Sequence, residues 1–143
     1  MNSDNIERFA ALYLSVFNSP PWNDGWSSQA VTERLSSFAA MPTFTGLGME
    51  KDGTPVGLVL GWGERWVRGW VFHLKEMCVA APLQRLGTGS RLMREFEQRL
   101  RAQGFRGVTL QTGAHAPARS FYLALGYEPI NLVVLGKSLN GKA

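Results

Sequence analysis

The sequence predicts an α/β fold: a mixed, mainly antiparallel central sheet holding a central parallel β-α-β unit, with helices on both faces. Three observations predict it. Two segments before residue 40 carry apolar residues at helical spacing. The pair Asp52-Gly53 then sits between two strand-like runs, a strong hairpin signal. Finally, a strand-like run ending at Val79 passes through a glycine-bearing turn into a long helical pattern, and a further strand-like run follows. That order demands a right-handed parallel crossover.

The elements follow in order. In "NIERFAALYLSVF", Ile6, Phe9, Ala10, Tyr13, Val16 and Phe17 share one helical face, with Asp4 as the expected cap. "NSPPWNDGW" interrupts regular structure with two prolines and a glycine. "SSQAVTERLSSFAAM" resumes helical spacing through Val31, Leu35 and Phe38, capped by Ser27 or Ser28. Residues 43–66 read as the hairpin, and "WVFHLKEMCV" as a third strand after the break at Arg68-Gly69. "SRLMREFEQRLRAQG" stacks Leu92, Phe96 and Leu100 at i, i+4 and i+8. "GVTLQT" is a strand, and "APARSFYLALG" a short helix with Pro117 tolerated in its first turn. "YEPINLVVLGKSL" has strand composition and is expected to close the sheet.

Composition narrows the classes. A chain of 143 residues suits a single domain, expected over 1–143, and buries roughly 70% of its unfolded surface. The lone Cys78 excludes an internal disulfide and a cysteine-rich metal site, so no metal is expected and a reducing, cytoplasmic setting fits. No apolar run is long enough to span a bilayer, and "MNSDNIERF" does not read as a secretory signal. The net charge of +4 is modest and the basic residues are scattered, which favours a phosphate-bearing ligand over nucleic acid.

The turn after Val79 raises the chemical question. In "VAAPLQRLGTGSRLM", glycines stand where a strand hands over to a helix. The first N–H groups of a helix lack partners, and its dipole is positive there, so this turn can hold an anion. A P-loop would need a Lys after the glycines, which is missing. A dinucleotide fingerprint would need a third glycine where Leu92 stands. What does fit is Q/R-x-x-G-x-G/A, as Gln84-Arg85-Leu86-Gly87-Thr88-Gly89. Downstream, "ARSFYLALGYEP" fits A-x-x-F-Y-x-x-x-G-F/Y at Ala118, Phe121, Tyr122, Gly126 and Tyr127, and "LKEMCVAAP" fits the strand before the turn. In these motifs and their order the chain resembles the GNAT family, the Gcn5-related N-acetyltransferases.

The resemblance implies a GNAT-like fold and acetyl-CoA as co-substrate. It implies that Met77, Cys78 and Val79 offer the pantetheine arm a strand edge, and that the N–H groups from Leu86 through Gly87, Thr88 and Gly89 to Ser90 meet the pyrophosphate. Gln84 and Arg85 belong to the same motif, with Arg91 and Arg119 as further phosphate candidates. Ala118 and Phe121 belong to the later cofactor motif. His115 stands where family members often carry Asn. A homodimer is also implied.

N-acetylation sets its own demands. A free alkyl ammonium has a pKa of about 10 and must lose a proton before it attacks. The carbonyl oxygen then needs an N–H donor, and the departing thiolate needs a proton. Tyr122 is the candidate donor to the thiolate, where the resemblance places the sulfur. Glu76 is the candidate base. Alternation groups it with Leu74 and Cys78, opposite His73, Lys75 and Met77. A salt-bridged Glu76 at the sheet's solvent edge, His73, or a water chain are the other readings. Cys78 reads most simply as a small core residue.

The acceptor is a primary amine: a small amine, polyamine, amino acid or peptide N-terminus. "SPPWNDGW" is the expected acceptor loop, with Trp22 and Trp26 as aromatic walls beside Asn23, and Asp24 to hold a cation. The loop resembles relatives of the aminoglycoside 6'-N-acetyltransferases, although the chain is not rich in the carboxylates such a pocket uses. Two other classes remain open: a catalytically silent acyl-CoA sensor, and a Trp-rich interaction module that binds no cofactor.

Overall fold

The computed structural model describes residues 1–2 and 4–141. A 3-10 turn, Ile6–Phe9, leads into helix α1, Ala10–Phe17. Asp4 does not cap it. The Asn2 carbonyl takes the Ile6 N–H at 3.1 Å instead, and Asn5 holds the cap position without a capping bond, its Oδ1 accepting from the Asn2 N–H at 2.9 Å. Helix α2, Ser28–Ala39, starts as expected, with the Ser27 hydroxyl accepting from the Ala30 N–H at 3.1 Å.

Strands β1, Phe44–Lys51, and β2, Thr54–Trp66, form the hairpin. Its turn needs positive φ at both central residues, and Asp52 and Gly53 have φ of 52° and 79°. Strand β3, Gly69–Val79, pairs antiparallel with β2. Helix α3, Thr88–Ala102, crosses over to β4, Phe105–Leu110, which runs parallel to β3. The sheet order is β1-β2-β3-β4. Leu58 and Leu60 pack with Tyr13, Val31 and Leu35 of α1 and α2. On the other face, Phe72 sits edge-on to Phe96 of α3, with ring centroids 5.3 Å apart.

One irregularity reorganises β3. Pairing with β2 slips between Leu60↔Glu76 and Gly61↔Leu74, which leaves Lys75 without a rung. A bulge of this kind breaks side-chain alternation. Phe72, and Leu74 two residues on, therefore face α3, whereas Glu76 bonds to α1 and α2. His73 pairs with Trp62, whose ring packs on Phe38 of α2 at 5.5 Å. Strict alternation groups Glu76 with Leu74 and opposes it to His73. The bulge reverses both relations.

The described chain divides into two units, Met1–Gln111 and Thr112–Ala143. The second holds helix α4, Pro117–Ala124, with Ala116 at its cap position and proline in its first turn. The expected closing strand does not form: residues 127–139 have no strand pairing. Val133 is 82% and Leu135 89% exposed. A strand is stabilised by its neighbour, and strand composition alone does not supply one.

Candidate active site

Glu76 is 7% exposed and sits at the bulge, bonded to both α1 and α2. The Tyr13 hydroxyl of α1 donates to its Oε1 at 3.1 Å. Arg34 of α2 donates to the same oxygen through Nε at 2.8 Å, and through Nη2. All three bonds fall on Oε1. Among the described residues no buried side-chain oxygen or nitrogen lacks a partner, so the unbonded Oε2 touches solvent. Burial pushes the Glu76 carboxyl up from its ordinary range, with Arg34 and Tyr13 pulling it partly back. Burial and then Glu76 push the Tyr13 phenol up. Glu76 is thus salt-bridged, but inside the sheet and not at its solvent edge. Its Oε2 is left unbonded.

His73 lies on the same face. Its Nδ1 is 2.7 Å from Thr109 Oγ1 of β4, and its Nε2 2.9 Å from Glu64 Oε2 of β2. An ionised Glu64 accepts only, so in neutral His73 the proton sits on Nε2 and Nδ1 accepts from the Thr109 hydroxyl. Cys78 points into the core, and burial pushes its thiol up to about 12. That disfavours the thiolate, in keeping with a small core residue.

The β3–β4 pairing ends at Leu74↔Leu110, while β3 runs on to Val79. The Ala80 N–H bonds the Val56 carbonyl of β2 at 2.8 Å. Alternating back from that bond, Cys78 turns its backbone toward β2, and Met77 and Val79 turn theirs to the opposite, open edge. Of the three expected residues, then, Met77 and Val79 present backbone there and Cys78 does not. The Gln84 side chain takes the Val79 carbonyl at 2.8 Å.

Beyond this edge the chain enters α3. Arg85 has φ of 63°, costly for a residue with a side chain, and Gly87 has φ of 80° at the cap position. No side chain caps α3, so the N–H groups of Thr88, Gly89 and Ser90 face outward unpaired by the helix. Leu86 is 70% exposed beside them. An open strand edge followed by uncapped amides fits an extended thioester carrier ending in a diphosphate.

The acceptor loop is pinned to α1. Trp22 packs on Phe17 at 5.3 Å, and the Asp24 N–H bonds the Phe17 carbonyl at 2.9 Å. Asn23 adopts φ of 49°. Asp24 Oδ2 accepts from the Trp26 indole at 3.1 Å. Trp26 in turn meets Tyr13 at 5.5 Å and Arg34 at 5.4 Å, which links the loop to Glu76. Trp22, Asn23 and Asp24 are exposed.

In the second unit, Tyr122 is buried, with its ring 5.1 Å from Phe121 and 5.7 Å from Tyr127. His115 is exposed and Ala118 half-buried. Arg119 donates to the Ala114 carbonyl at 3.0 Å. A cleft of about 310 Å³ near Phe9, Leu47 and Glu50 contains none of these residues. Among the described residues no cluster of His, Cys, Asp and Glu could hold a metal, and no helix is long and apolar enough to cross a membrane.

Tyr13, Arg34, Glu64 and Thr109 were not legible as site residues. Arg34 alone left a signal: a charge on the edge of the Val31, Leu35, Phe38 stripe. Thr109 and Glu64 gain meaning only from strand register.

A mixed sheet with an open strand edge beside an uncapped helix defines the class as α/β. The chain matches the profile of the Acetyltransferase (GNAT) family over residues 10–127, and it belongs to that family. A comparison with curated protein sequences returns no match. Solved structures share the fold at low identity. An aminoglycoside N-acetyltransferase, AAC(6')-Iy in complex with CoA, is 16% identical, with a TM-score of 0.76 over 97% of this chain and 91% of that one. A ribosomal-protein-alanine N-acetyltransferase from Brucella melitensis biovar Abortus 2308 is 12% identical, with a TM-score of 0.73 over 97% and 96%. A possible acetyltransferase from Clostridium difficile 630 is 10% identical, with a TM-score of 0.82 over 97% and 94%.

Proposed function

We propose that residues 1–143 work as one N-acetyltransferase domain, moving the acetyl group of acetyl-CoA to a primary amine by direct attack through a tetrahedral intermediate. The observation that carries this reading is the open β3 edge leading to the uncapped amides of α3. The family match, which runs through both units, and CoA in a structural neighbour support it.

In this reading the backbones of Met77 and Val79 pair with the pantetheine arm. The amides from Leu86 to Ser90 hold the diphosphate, helped by Arg85, while Gln84 braces the end of β3. In the second unit, His115, Ala118 and Phe121 are the cofactor candidates. Glu76 takes a proton from the amine through Oε2, directly or through water, while Tyr13 and Arg34 hold Oε1. Tyr122 returns a proton to the thiolate. Trp22, Asn23, Asp24 and Trp26 shape the acceptor side. The enzyme works as a homodimer in the cytoplasm, without a metal.

The test is a screen of acetyl-CoA against an aminoglycoside, a polyamine, free amino acids and an alanine-terminated peptide, read by thiol release. Turnover with one class is expected, and Tyr122→Phe should cut its kcat by about 10²-fold or more with little change in acetyl-CoA affinity. CoA-dependent thermal stabilisation without turnover would instead support a silent sensor. No response to CoA would support an interaction module.

A further inference from the structure

Acetylating an ammonium removes two protons from its nitrogen, one before the lone pair attacks and one as the amide forms. The leaving thiolate takes back one. The other must leave the site altogether. Glu76 has Oε1 held by Tyr13 and Arg34, so a single oxygen would have both to take the proton from the amine and to release it.

We propose that Thr109, His73 and Glu64 form a second proton path, which carries the net proton of the reaction to solvent. The proposal rests on the acetyltransferase reading above and deepens it. The three side chains span three adjacent strands in an unbroken series, 2.7 Å from Thr109 to His73 and 2.9 Å from His73 to Glu64. Exposure rises along it: Thr109 is half-buried, the His73 side chain 30% exposed and that of Glu64 47%. The rung His73↔Thr109 is followed by Leu74↔Leu110, the last before β3 and β4 part. The path therefore begins beside the open edge. The bulge at Lys75 sets it on the same face as Glu76.

The transfer balances. The amine nitrogen donates a hydrogen bond to Thr109 Oγ1. As its N–H bond breaks, Oγ1 gains that proton and passes its own to His73 Nδ1. The Nε2 proton then moves to the Glu64 carboxylate, which releases it to water. One passage leaves His73 with its proton on Nδ1, and exchange with water at the partly exposed ring restores the Nε2 tautomer before the next turnover. Of the charged and titratable groups on this face, Glu64 of β2 meets His73, Lys75 and Glu76 follow it along β3, and Arg34 of α2 and Tyr13 of α1 bond Glu76. Lys75 lies over the Trp62 ring at 5.5 Å. At this rung β4 contributes only the Thr109 hydroxyl.

Two measurements test the path. Nitrogen-15 NMR of the ring nitrogens reads the tautomer. The chain has two histidines, so His115→Gln assigns the His73 signals. Neutral His73 is expected to carry its proton on Nε2. A proton on Nδ1 would reverse the Thr109 bond and overturn the proposal. Thr109→Val and Thr109→Ser then separate relay from support, with the amine turned over fastest in the screen and saturating acetyl-CoA. Valine should lower kcat about tenfold or more at pH 7, the loss should shrink as pH approaches the amine's pKa, and serine should restore the rate. A loss equal at every pH, or no loss, would make the series a structural strut. If no amine is turned over, the acetyltransferase reading fails, and the tautomer still decides whether the chain is wired to accept a proton.

Discussion

Lys75 has no rung on β2, and that missing partner decides which face Glu76 occupies. At its position Glu76 meets two opposed effects. Burial disfavours the carboxylate, while Arg34 and Tyr13 favour it, and burial prevails. Its folded-state proton affinity is thus raised above the unfolded one. In the window from the ordinary Glu value of about 4.3 up to that raised value, the folded state binds more protons than the unfolded state. Stability should therefore fall as pH rises through the window and level off above it. Glu76→Gln removes this component. Denaturant unfolding from pH 3 to 8 should show the difference in stability shifting toward the Gln variant as pH rises. A shift the other way would mean that the Arg34 pair outweighs burial. Sequence alone identified Glu76 as a candidate and missed Arg34 and Tyr13, because both partners lie far away along the chain.

The start of α3 is the element on which the proposed cofactor site depends. Gly87 supplies the left-handed turn, and no side chain competes for the amides behind it. Valine at position 89 would place a branched side chain among those amides. Gly89→Val should weaken acetyl-CoA binding by about tenfold or more, about 1.4 kcal/mol, by titration calorimetry. An unchanged dissociation constant would remove the diphosphate from this turn. This element was fully legible, because its signals are local: two glycines, a strand before them and a helical stripe after. The end of the open edge was only partly so. Met77 and Val79 present backbone there as expected, but Cys78 does not, because backbone direction depends on pairing with β2.

For the molecule as a whole, the stretch from Ile130 to Leu139 stands out. Leu132, Val133, Val134 and Leu135 are all largely exposed and consecutive. Isolated exposed apolar residues are ordinary, but a continuous run is a candidate for association. The proposed homodimer would cover it. Sedimentation at tens of micromolar should give a dimer, and Val133→Lys with Leu135→Lys should give a monomer. A monomeric wild type would remove the dimer from the functional reading.

What the sequence determined by itself was whatever repeats or pairs within a few residues: helical stripes, the Asp52-Gly53 turn, the Ser27 cap, the glycine turn, and through these motifs the family. Hydrophobic period and turn chemistry are written into neighbouring positions. Tertiary structure decided the remainder: the bulge that turns Glu76 and His73 to one face, the Arg34 and Tyr13 bonds, and the series from Thr109 to Glu64. Each depends on register between strands, and register is settled by packing the sheet between its helices, far beyond the reach of any short stretch of chain.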